Sequence, residues 1–254
     1  MLQAERLEKI KNELKNKRFC SIKEIAQVLN ISSATVRRDL KQLSDQNQLE
    51  LTRGGAMLVL SGTAQEAPYS IKRMTNREEK VRIGQRAAQL VKEGETIIID
   101  SGSTAVEMGL ALANHKKITV ATNDILVASK LAMSKEIDLT VIGGGVRKEY
   151  FTTLGFLAQL ALQHINADKL FLGVDAIDIR KGCMITNMEE VVIKKQMMDS
   201  AKEKIIICDH SKFESVAFLN LCALREIDLI LTGKELKREF YEQFVDAGVN
   251  IELV

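Results

Sequence analysis

The sequence predicts an α/β protein in two parts. A small, mostly helical unit over residues 1–57 and a larger domain over residues 76–254 flank a connector at 58–75. Three observations predict it. Apolar residues recur at helical spacing through the first part. Beyond it, short β-branched runs alternate with helical segments, the pattern of buried parallel strands and their crossovers. Many of those runs end on Gly, Ser, Thr, Asn or Asp, residue types suited to turns and anion nests. With 254 residues, 46% hydrophobic and 28% charged, the chain can bury one small and one medium core.

Leu7, Ile10 and Leu14 give the first helical stripe. In "CSIKEIAQVLNIS", Ser21 followed by Glu24 is a capping-box signature, and Ile22, Ile25, Ala26 and Leu29 share the face behind it. Asn30 tolerates a left-handed turn, and Ser32 or Ser33 can cap the next helix. In "ISSATVRRDLKQL", Val36, Leu40 and Leu43 fall in a narrow arc. At about 100° per residue, Ala34, Arg37, Arg38 and Lys41 face away from it, with Thr35 at the flank. Asp39 lies near the core edge, placed to orient an arginine rather than to oppose a phosphate.

Small residues at the start of such a helix let it enter a DNA major groove, where arginine reaches guanine edges or phosphates. "LELTRGGAM" then reads as strand, Gly-Gly turn and strand, a short wing with Arg53 near its tip. A winged helix-turn-helix follows, with Ser32, Ser33, Ala34, Thr35, Arg37, Arg38, Lys41 and Arg53 as DNA-contact candidates. Charge agrees: Met1 to Met57 holds 11 Lys and Arg against 7 Asp and Glu, a net of +4, on a remainder of −2.

Gly62, Thr63, Gln65, Pro68 and Ser70 mark the connector. "NREEKVRIGQRAAQLV" resumes helical spacing through Val81, Gly84, Ala88 and Val91. Strands follow in "ETIIID", "ITVATN", "DLTVIGGG", "DKLFLGVDA", "KIIICD", "DLILTG" and "VNIELV", with helices such as "TAVEMGLALA" and "DILVASKLAM" between. At the strand ends stand Asp100 with Ser101, Gly102, Ser103 and Thr104, then Thr122-Asn123, Gly143 to Gly145, Gly173 with Asp175, Asp209, and Thr232-Gly233. Open α/β sheets bind ligands beyond these carboxyl ends. "DSGST" adds hydroxyls and the free N–H groups of a helix start, which favour an anion such as phosphate. Taken singly, each is an ordinary turn, and Asp100 could be a helix cap; their convergence on one edge makes the site.

Cys20, Cys183, Cys208 and Cys222 form no C-x-x-C pair and read as buried thiols of a reducing compartment. No signal peptide and no membrane-length apolar run is seen, which predicts a cytoplasmic protein without membrane contact. His115, His164 and His210 carry no metal-ligand spacing, so no metal and no cofactor is assigned.

"SIKEIAQVLNISSATVRRDLKQL" followed by "RGGA" resembles the N-terminal signature of DeoR-type bacterial transcriptional regulators, departing from it at "QNQLEL", where glycine is more usual. "EEKVRIGQRAA", "IIIDSGST", "TVATN", "IGGGVRK", "LFLGVDAID", the Glu190–Lys194 segment and "DHSKF" resemble the family's sensor domain in order. The resemblance implies a domain similar to ribose-5-phosphate isomerase that senses a phosphorylated sugar or related metabolite. By position it makes Asp100, Ser101, Gly102, Ser103, Thr104, Thr122, Asn123, Gly143, Gly144, Asp175, Glu190, Lys194, Asp209 and Lys212 effector-site candidates. Arg147 and Lys148 join them as cations beyond the glycine turn. The usual serine after Asp209 is His210.

A sugar-phosphate isomerase or deaminase is the alternative. Asp175, Asp178 or Glu190 could move the proton, with Lys181 or Lys194 nearby. "DIRKGCMITNMEE" lacks the long glycine-rich loop that encloses an isomerase substrate, and an attached DNA reader argues for sensing. RNA binding is disfavoured because the basic unit has no aromatic platform. The expected protein is therefore no enzyme. It is a repressor of a sugar or polyol operon whose affinity for double-stranded operator DNA changes with a phosphorylated sugar or polyol effector. Paired half-sites call for a homo-oligomer, dimer or higher.

Overall fold

The computed structural model describes the whole chain except Met1, Arg18, residues 46–48, Arg53, residues 59–61 and Gln65. It contains two compact units, residues 1–62 with 70–75, and residues 63–69 with 76–254.

In the first, α1 (Gln3–Lys17) leads through β1 (Phe19–Ser21) to α2 (Ile22–Leu29) and α3 (Ser33–Asp45), and β2 (Leu49–Thr52) with β3 (Gly55–Leu58) completes it. Ile10, Leu14, Ile25, Val36, Leu40 and Leu43 close one core with Leu49 and Ala56. Both halves of the capping box form at α2: the Glu24 N–H donates to the Ser21 hydroxyl at 3.1 Å, and the Ser21 N–H donates to the Glu24 carboxylate at 2.8 Å. Asn30 ends α2 in the left-handed region at φ 51. Of the two candidate serines, Ser32 caps α3, its hydroxyl accepting from the Thr35 N–H at 3.1 Å. The wing has three strands rather than two, in the order β1-β3-β2. β1 is only three residues long, too short for its alternation to stand out in the sequence.

After α4 (Tyr69–Met74) the chain runs α5 (Arg77–Gln89), β4 (Thr96–Ile99), α6 (Ser103–Leu112), β5 (Ile118–Thr122), α7 (Ile125–Leu131) and β6 (Ile137–Val141). Next come β7 (Gly145–Arg147), β8 (Thr152–Leu154), α8 (Phe156–Leu162), β9 (Ala167–Leu172), β10 (Ala176–Asp178), β11 (Gly182–Ile185) and α9 (Met188–Asp199). Then β12 (Ala201–Ile207), β13 (Leu219–Cys222), β14 (Leu229–Thr232), α10 (Arg238–Asp246) and β15 (Ile251–Leu253) follow.

All seven expected strands join one parallel sheet in the order β15-β14-β12-β9-β4-β5-β6. Alternate side chains feed opposite cores, as a pleated strand requires. Ile97, Ile99, Phe171 and Ile205 pack with α5, α6 and α7, while Ile98, Leu170, Leu172 and Ile206 pack with residues of α8, α9 and α10. On α5 the buried face holds Ile83, Gly84, Ala87 and Ala88; Val81, expected there, is only half-buried. Gly84 permits a close helix crossing, since a Cβ would stand 2.6 Å from the Met108 backbone nitrogen of α6.

The strand order places a topological switch between β4 and β9. From β4 the chain builds outward to β6, returns to β9 on the other flank of β4, and then builds away to β15. Strand ends at such a point diverge into a crevice. Small antiparallel pieces, β7 with β8 and β10-β11-β13, decorate this edge, and none of them is among the seven expected strands.

Candidate functional site

The first unit offers a cationic helix face. Val36, Asp39, Leu40 and Leu43 of α3 are buried, whereas Ser33, Ala34, Arg37, Arg38 and Lys41 are exposed and Thr35 is half-buried beside exposed Ser32. Asp39 holds Arg6 of α1 through two hydrogen bonds, so the arginine it orients is not on its own helix. Among the described residues Arg37, Arg38 and Lys41 enter no ion pair within the chain. The β2–β3 turn follows with Thr52 opposite Gly55; Arg53 lies outside the described residues.

The second unit gathers charge at the switch point. Asp100, at the end of β4, is fully buried and accepts hydrogen bonds from the Gly173 N–H at 3.0 Å and from the Lys194 ammonium of α9. Lys194 also donates to the Gly173 carbonyl at 3.0 Å. Burial alone lowers the affinity of an ammonium for its proton, but Asp100 and Glu190 overcome it and raise Lys194 above its ordinary value. The other carboxylate oxygen of Asp100 is buried without a partner among the described residues, and so is Oδ1 of Asn123.

Beside Asp100, residues 101–102 lead into α6 with no side-chain cap, so that among the described residues the first N–H groups of that helix have no capping side chain. Gly102 stands at φ 134, a backbone state that favours glycine, and its N–H donates to Asp124 at 3.1 Å. Ser103 and Thr104 are buried at the helix start. Asp124 also accepts from the Leu126 and Val127 N–H groups and so caps α7. Thr122 lies in the same layer, its hydroxyl accepting from the Asp124 N–H.

One turn before Lys194 on α9, Glu190 pairs with Arg147, which also pairs with Glu66 and lies over the Tyr150 ring at 3.8 Å. Burial pushes the Glu190 carboxyl up. Asp175 accepts from the Thr186 N–H at 2.9 Å. Gly143 is open, while the Leu154 carbonyl lies where a Cβ on Gly144 would have to sit. Lys148 is exposed.

Asp209 and Lys212 belong to a neighbouring cluster at the end of β12. Asp209 accepts from Asn76 at 2.9 Å and from the Ser211 N–H at 3.1 Å, and pairs with buried Lys80 at 3.4 Å. Burial raises it, but Lys212 and Lys80 carry it well below the carboxylate range. His210 donates its backbone N–H to Glu79 at 2.7 Å, and its ring stands 2.7 Å from the other Glu79 oxygen. Glu79, Asp209 and His210 thus bring three potential metal-ligand atoms within 4.8 Å of one another, although Lys80 already supplies a positive charge to the cluster.

Asp124, Glu66, Asn76, Glu79 and Lys80 were not among the sequence candidates. Only Asp124 carried a local signal, an acid directly before the helical run "ILVASKL".

An outward cationic helix on one unit and a charged crevice at the switch point of the other define a transcription regulator with its own sensor. A model of the DeoR-like helix-turn-helix domain matches residues 6–61, and one of the DeoR C terminal sensor domain matches residues 75–234. The chain is 34% identical to the HTH-type transcriptional repressor GlcR of Bacillus subtilis over 251 residues, 99% of this chain and 96% of that one. It is equally identical to the lactose phosphotransferase system repressor of Lactococcus lactis over 246 residues, 96% of each. A ribose 5-phosphate isomerase from Methanocaldococcus jannaschii superposes at TM-score 0.40 and 22% identity over 55% of each chain. The chain belongs to the DeoR family of transcription regulators, and it is a DNA-binding regulator rather than an enzyme. Among the described residues no helix is long and apolar enough to cross a membrane.

Proposed function

We propose that this chain is a cytoplasmic repressor of a sugar or polyol catabolic operon, released from operator DNA by a phosphorylated sugar or polyol. Arg37, Arg38 and Lys41 grip the duplex, with Ser32, Ser33, Ala34 and Thr35 at the groove floor and Arg53 as a further DNA contact. The observation that carries the effector half is the pair of buried acceptors without partners, Asp100 Oδ1 and Asn123 Oδ1, beside the uncapped start of α6. Acceptors ask for hydroxyl donors, and free helix N–H groups ask for an anion. A phosphorylated polyol offers both on one small molecule.

In this reading Ser101, Gly102, Ser103 and Thr104 cradle the phosphate, and Asp100, Asn123 and Thr122 take hydroxyls. Gly143, Gly144, Arg147, Lys148, Asp175, Glu190 and Lys194 line the rest, with Asp209 and Lys212 from the next strand end. The relatives named above are repressors, and one is named for a lactose phosphotransferase system. A ligand that prefers one arrangement of the sensor shifts the protein between DNA-competent and DNA-released states.

A thermal-shift screen of sugar, polyol and amino-sugar phosphates against their unphosphorylated forms tests it. Phosphorylated ligands alone are expected to stabilise the protein, and the stabilising one to release DNA taken from upstream of its own operon in a gel shift. Stabilisation that leaves the shifted band intact rules out release by that ligand. Turnover of any sugar phosphate in the screen contradicts the sensing role.

A further inference from the structure

α8 is unusual for a surface helix: its seven residues, "FLAQLAL", include no charge. Phe156 is 74% exposed and Leu157 62%, with Leu160 on the same outer face. Next to it, α9 exposes Met188, at 61%, and Val192, while Glu190, Ile193 and Lys194 point inward. Val146, Phe156, Leu157 and Glu189 line a cavity of about 340 Å³ between β7, α8 and the start of α9, whose inner wall is shared with Gly144 and Arg147 of the effector-site candidates.

At roughly 150–200 Å² for each large apolar side chain, Val146, Phe156, Leu157, Leu160, Met188 and Val192 leave on the order of 550 Å² uncovered. That is near the upper end for a monomer's largest apolar patch and most of the ~800 Å² that each partner gives a standard interface.

We infer that this face docks a second copy of the same chain, with α9 crossing its symmetry mate antiparallel at Val192. The inference rests on the proposed operator binding, whose paired half-sites call for a homo-oligomer, and it names the surface that pairs the copies. Two-fold symmetry brings residue 192−n of one copy against 192+n of the other. Glu189 and Lys195 each lie three positions from Val192, about 60° to either side of it on the helix, and both are exposed. Among the described residues neither makes an ion pair within its own chain. An antiparallel crossing therefore sets each Glu189 against a Lys195, twice per dimer, at the edge of an apolar centre. Because Glu190 and Lys194 lie on the inner side of the same helix, the sensor pocket abuts this boundary.

Light scattering after size exclusion, over a concentration series, tests the face. The wild-type chain should be a dimer or higher. Leu157→Glu and Val192→Glu should each drop the assembly by one step with an unchanged circular-dichroism spectrum. Lys195→Glu should raise the dissociation constant at least tenfold, and Glu189→Lys with Lys195→Glu should return it to within about threefold of wild type. A monomeric wild type, an assembly indifferent to Leu157→Glu, or a double reversal no better than the single one overturns the inference. Effector binding is followed separately by thermal shift, so its failure in wild-type protein counts against the proposed function and leaves the docking face untouched.

Discussion

Two buried carboxylates at the switch point differ in their partners: Asp100 has a cation, and Asp124 has only backbone donors. Asp100 is paired with Lys194, both nearly inaccessible. Removing one partner of such a pair leaves a bare charge in the interior, at a cost of about 3–5 kcal/mol. Lys194→Met is expected to lose that much in urea denaturation, and adding Asp100→Asn should recover part of it. A double variant as unstable as the sum of the two single ones would mean the residues do not act as a pair.

Asp124 accepts from three N–H groups, yet burial dominates, and with the charge of Asp100 adding to it the carboxyl is pushed up to about 6. A raised carboxyl keeps its proton in the folded chain at a pH where the unfolded chain has released it. Its contribution is therefore full at pH 4 and is lost as pH rises through 6, up to about 3 kcal/mol in all. Asp124→Asn keeps an oxygen on the start of α7 and removes the titration. The stability of wild type minus variant should fall by up to that amount between pH 4 and pH 7, and a flat difference would refute the buried ionisation.

At the scale of elements, α2 and α3 are held by their caps so that one face of α3 stays free. Ser21→Ala removes a hydroxyl that anchors α2 and should cost about 1 kcal/mol in thermal unfolding. Arg37→Ala or Arg38→Ala touches neither core nor cap. Each should leave stability and effector-induced thermal shift unchanged while weakening operator binding by about 1–3 kcal/mol, roughly fivefold to 150-fold. Loss of effector binding alone would reverse the division of labour between the units.

The elements also show what local sequence can carry. β4, β9 and β12 read as strands because both faces of a central parallel strand are buried, which leaves a continuous apolar run. The helices of the first unit read equally well from caps and spacing. β1, β7 and β10 did not, since three residues hold barely one period of alternation.

Across the whole molecule the formal charge is only +2, with +4 in residues 1–57 and −2 in the remainder. DNA affinity should therefore come from few cations and respond to salt, dropping at least tenfold between ~50 and ~200 mM. Arg38→Ala should flatten the dependence if it meets a phosphate. An affinity indifferent to salt would remove phosphate contact from the mechanism.

The helical spacing and caps of the DNA-reading unit, and the seven apolar strands with their polar ends, can be read directly from the chain. Those features are written in local periodicity and in single residues beside it. Which strand ends face one another, that Lys194 meets Asp100 across 94 positions, and that Glu66 reaches Arg147 across 81 emerge only once the chain is folded. Strand order and long-range charge pairing arise from how distant segments close a common core, and no short stretch of chain records its partner.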